Sequence, residues 1–92
     1  MYVYLLIYSN KTGDRESIKG VLNSIPEVLH WRFDMPNSFY IKSDNSASEL
    51  CELFAKALNK NSKRFLIVEI TDNKQGYLLK ETWNFINDKL NK

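Results

Sequence analysis

The chain has 92 residues, of which 43% are hydrophobic and 26% charged, with a net charge of +2. Those proportions exclude a disordered chain, the charge is too small to announce a nucleic-acid partner, and no apolar run approaches the roughly 20 residues that span a bilayer. A single cysteine, Cys51, excludes an internal disulfide and suits a reducing compartment.

Met1 to Asn10, MYVYLLIYSN, reads as a first strand with no polar face. In an extended chain Val3, Leu5 and Ile7 point one way, and Tyr2, Tyr4, Leu6 and Tyr8 the other. A strand apolar on both sides belongs in the middle of a sheet, covered above and below. Ser9 to Asp14 carries turn chemistry, and either Thr12 or Asp14 can cap a helix with the stripe Ile18, Val21, Leu22 and Ile25. Gly20 weakens that helix and Pro26 stops it.

Leu29, Trp31 and Phe33 alternate with His30, Arg32 and Asp34, the pattern of a half-buried strand. Met35-Pro36-Asn37-Ser38 is a turn, and Phe39 to Lys42 completes a hairpin. Ser46 and Glu49 form a capping box ahead of Leu50, Leu53, Phe54, Ala57 and Leu58 at helical spacing. After a lysine-rich connection over 59–64, Phe65 to Ile70 is a second nearly all-apolar strand, expected to be well covered. A turn at 72–76 leads to a last helix with Leu79, Trp83, Ile86 and Leu90 on its apolar side, flanked by Leu78 and Phe85, with Lys89 and Lys92 at its end.

The order strand, helix, strand, strand, helix, strand, helix predicts an α+β fold. Its core is the ferredoxin-like βαββαβ unit with a four-stranded antiparallel sheet, plus a C-terminal helix. The expectation is one domain over 1–92, cytoplasmic, with no export signal at its start and no membrane span.

Two helices on one side leave the other sheet face open. With Val3, Leu5 and Ile7 set against the helices, the open face holds Tyr4, Leu6 and Tyr8, joined by Tyr40, Phe65 and Ile67, while Leu66, Val68 and Ile70 face the helices. At about 25 cal/mol per Å², such side chains left in water forgo several kcal/mol, so the patch is covered or used. The final helix can cross it. A second copy can pack there and bury Trp83 as well. Alternatively the tyrosines stack on bases, although Asn37 to Ile41 lacks the glycine-aromatic signature of RNA-recognition domains.

Catalytic signals are absent. His30 and Cys51 have no metal-ligand spacing, and Cys51 reads as an inert, partly buried thiol. The acids Asp14, Asp34, Glu69 and Asp72 read as solvated groups in loops and at strand ends, and Lys60, Lys63 and Arg64 form a small basic cluster that can touch phosphate. No catalytic, metal or cofactor residue is assigned, and no cofactor is expected.

Three segments carry a family resemblance: Met1 to Tyr8, the hairpin from Trp31 through Lys42, and Arg64 to Ile86 with its Arg-Phe-Leu-Ile-Val-Glu start. They resemble small bacterial proteins related to the second CRISPR-associated adaptation protein, including the SinR-like group. The resemblance implies a ferredoxin-like fold, a homodimer, and a role near nucleic-acid or toxin–antitoxin systems. Nuclease-competent members of that group close the first strand with a metal-binding aspartate, where this chain has Tyr8-Ser9-Asn10. Neither serine nor asparagine replaces a carboxylate well around a hard divalent ion. The leading expectation is a non-enzymatic homodimer that works by binding another protein. The alternative is a nucleic-acid-binding protein or metal-dependent nuclease.

Overall fold

The computed structural model describes residues 1–88, so Lys89, Leu90 and Lys92 of the expected last helix lie outside the described residues. Its elements are β1 (Tyr2–Tyr8), α1 (Arg15–Asn23), β2 (His30–Arg32), β3 (Ser38–Ser43), α2 (Ala47–Leu58), β4 (Phe65–Glu69) and α3 (Lys80–Asn87). The strands form one antiparallel sheet in the order β2-β3-β1-β4, the ferredoxin-like arrangement, with α3 added. No helix among the described residues is long and apolar enough to cross a membrane.

Local chemistry accounts for the helix starts. Asp14, not Thr12, caps α1, its carboxylate accepting from the Ser17 amide at 2.9 Å. Ser46 and Glu49 close their capping box reciprocally, at 3.2 and 2.9 Å. Helix α1 ends at Asn23, ahead of Pro26, and α2 ends on Asn59 in the left-handed conformation that asparagine tolerates. The hairpin turns through Asn37, also left-handed. Strand β2 is shorter than the alternation of residues 29–34 suggests, and Leu29 is exposed.

Helices α1 and α2 cover one face of the sheet. Tyr4, Leu6 and Tyr8 are buried there with Phe39, Ile41, Ile18, Leu22, Leu50 and Phe54, and Trp31, Phe65 and Ile67 pack against them. Aromatic edges interlock in this layer: Phe65 meets Phe54 at 4.8 Å and Trp31 meets Phe39 at 5.5 Å, both edge-to-face.

The two faces of β1 are therefore reversed from expectation. Tyr4, Leu6 and Tyr8, with Phe65 and Ile67, point toward α1 and α2, while Val3, Leu5 and Ile7, with Leu66 and Val68, point away. A period of two divides a strand into two sides but does not rank them when both are apolar. Tyr4 is tolerated beneath the helices because its hydroxyl reaches the Asn45 carbonyl, donating at 2.6 Å, whereas the Tyr8 hydroxyl is buried with no partner among the described residues.

Two further expectations change. Strand β4 is a sheet edge, so it is not well covered, and Leu66 and Val68 are exposed. Cys51 is exposed, since position 51 falls off the Leu50–Phe54–Leu58 stripe.

Candidate interaction surface

The second sheet face belongs to α3, whose position follows from three polar contacts. Arg32 Nε donates to Thr82 Oγ1 at 2.8 Å, and Lys42 Nζ donates to the Asp88 carbonyl at 3.1 Å while lying 4.3 Å above the Phe85 ring. The Leu79 amide, at the helix start, donates to the Asp34 carboxylate at 3.1 Å. All three anchors lie on or just beyond β2 and β3. Helix α3 thus buries Val3, Tyr40 and Ile86 together, with Leu5, Ile70, Leu78, Trp83 and Phe85 around them.

Holding α3 on that side leaves β4 and the end of β1 bare. Ile7 pairs with Leu66 and Leu5 with Val68. Ile7 is 44% exposed, Leu66 59% and Val68 43%, and they form a continuous apolar strip. The strip runs through half-buried Leu5 into a cleft of about 340 Å³ between α3 and residues 70–78. Met35, Tyr40 and Trp83 line the cleft, and Tyr77 stands fully exposed at its rim. Burial raises the pKa of the Tyr40 phenol, with Asp34 adding to the effect.

Of the residues proposed from sequence for an interface, Tyr4, Leu6 and Tyr8 are 2%, 0% and 3% exposed beneath α1 and α2 within the single chain. Tyr40 is 4% exposed under α3. Phe65 and Ile67 pack against the helix-side core, and Trp83 lines the cleft. Ile7, Leu66 and Val68 stand open instead, although alternation along the strands predicts all three under helices. Their exposure follows from the edge position of β4 and the anchoring of α3, neither of which leaves a periodic mark.

The basic cluster is partly turned inward. Lys60 Nζ donates to the Thr12 carbonyl at 2.8 Å, and Lys63 Nζ donates to the Lys60 carbonyl. Arg64 is held by its backbone: Thr12 Oγ1 donates to its carbonyl at 2.8 Å and accepts from its amide at 2.9 Å. Thr12 is fully buried, so this latch ties the β1–α1 turn to the start of β4.

The carboxylates are scattered: Asp14 caps α1, Asp34 holds the start of α3, and His30 is exposed on β2. Among the described residues no three His, Cys, Asp or Glu side chains gather to hold a metal ion. The chain matches no protein-family model, no curated protein and no solved structure.

Proposed function

We propose that the protein works by contact with other polypeptides rather than by catalysis, and that it does so as a pair of identical chains. The observation that carries this reading is the strip of Ile7, Leu66 and Val68 beside the apolar cleft. Contiguous exposed apolar surface continued by an apolar cleft is the kind of feature that interaction sites present. Such strips on small domains are commonly satisfied by a second copy, and twofold pairs lead among oligomers. The other function considered, phosphate contact through Lys60, Lys63 and Arg64, has less support because two of the three ammonium or guanidinium groups already bond to backbone carbonyls.

Sedimentation of the full chain across a wide concentration range tests the pairing. Reversible association is expected, and Leu66→Lys, which changes an exposed side chain, should shift the chain back to monomer. A parent protein that stays monomeric at every concentration overturns the reading.

A further inference from the structure

The two edges of the sheet are protected very differently. Strand β2 spans only three residues, His30–Arg32, two of them with polar side chains, so the edge it offers is short and polar. Strand β4 spans five residues, FLIVE, and has no proline, no glycine and no charge before its last position. Natural sheets usually guard an edge with lysines, prolines, bulges or a covering element, because an open row of amides and carbonyls recruits another strand. Among the described residues only β1 lies beside β4.

The hydrogen-bond phase says which groups remain open. The Ser9 amide donates to the Arg64 carbonyl at 3.1 Å, and the Ile70 amide donates to the Val3 carbonyl at 2.8 Å. Bonded pairs alternate along an antiparallel ladder, so Leu66 and Val68 direct their backbone groups at β1. Phe65, Ile67 and Glu69 therefore direct theirs outward, to the free edge.

We infer that β4 pairs antiparallel with β4 of a second copy about a twofold axis at Ile67, joining two sheets into one. This rests on the pairing proposed above and names its seam. In that register Ile67 faces its own mate and Phe65 faces Glu69 of the second copy, so all three outward residues enter bonded pairs. Each such pair exchanges two bonds, giving about six new backbone hydrogen bonds. Leu66 and Val68 face one another across the seam, so the two exposed strips become one.

Charge favours the same direction. Lys63 and Arg64 precede the strand, Glu69 ends it and Asp72 follows it. An antiparallel mate sets the basic end of one strand against the acidic end of the other, whereas a parallel mate sets like against like. The contact is one strand of five residues against another, only about 17 Å long, where a standard stable interface uses roughly 20–30 residues a side. The pair is consequently a weak one that forms with rising concentration.

Residue-resolved amide hydrogen exchange on the parent chain, from dilute to concentrated, tests the seam directly. Protection at Ile67 and Glu69 should rise at least tenfold with concentration, while Leu66 and Val68, already bonded to β1, stay unchanged. A Glu69→Pro variant removes one outward amide without touching the β1 ladder, and its sedimentation should stay monomeric where the parent associates; unchanged protection of Leu66 and Val68 shows that its fold is intact. Association with no change at Ile67 and Glu69 overturns the β4 seam and leaves the broader pairing standing. A parent chain that never associates overturns both. Open-ended aggregates instead of a discrete dimer overturn the closed twofold arrangement.

Discussion

Two tyrosines on one strand should respond to the same substitution with opposite signs. Tyr4 and Tyr8 lie on the same face of β1 and are 2% and 3% exposed. The Tyr4 hydroxyl donates to the Asn45 carbonyl at 2.6 Å, whereas the Tyr8 hydroxyl is buried with no hydrogen-bond partner among the described residues. Replacing Tyr4 by Phe removes a net favourable bond and leaves a part-buried carbonyl short of a donor, a loss of about 1 kcal/mol. Replacing Tyr8 by Phe removes a polar group that was dehydrated without compensation. The ring and its stacked contact with Phe39 at 6.1 Å remain, so the variant should gain about 1 kcal/mol. In a domain of this size each kcal/mol moves the melting temperature by about 4–8 °C. Thermal unfolding followed by circular dichroism at neutral pH should show Tyr4→Phe below the parent and Tyr8→Phe above it. If Tyr8→Phe falls as far as Tyr4→Phe, the Tyr8 hydroxyl has a partner and the reasoning fails.

Thr12→Val keeps the shape of a fully buried side chain but strips the Arg64 amide and carbonyl of their shared partner, and should cost about 3 kcal/mol in urea unfolding. Hydrogen bonds from the Ser17 and Ser46 amides hold the Asp14 and Glu49 carboxyls below their usual range. Their contribution is complete above the unfolded-state values and is lost as pH falls below about 4. Asp14→Asn keeps the cap acceptor, so its unfolding profile against pH should be flatter on the acid side than the parent's. Burial raises the phenol pKa values of Tyr4, Tyr8 and Tyr40 above the ordinary 10.0. The stability linked to them is complete below about 10 and is lost as pH rises through the folded values. Spectroscopic titration should therefore show their ionisation coinciding with alkaline unfolding.

Much of the architecture was legible in residue order alone. The capping box at Ser46 and Glu49, the stripe from Leu50 to Leu58, the Asn37 turn and the doubly apolar β1 are local signals. Each acts over a few residues, through amide geometry or side-chain period, and together they determined the α+β order and the central place of β1. What covers each side of β1 was not legible. Alternation sorts Val3, Leu5 and Ile7 from Tyr4, Leu6 and Tyr8, yet both sets are apolar, and only the docking of α1 and α2 chooses between them. The open surface was likewise decided at long range. Arg32 reaching Thr82, Asp34 receiving the Leu79 amide and Lys42 stacked on the Phe85 ring draw α3 to the β2–β3 side, and contacts between residues more than forty positions apart leave no period in a sequence. Sequence specified the elements because their forces are local; the tertiary structure decided which of their faces meet water because that depends on where one helix comes to rest.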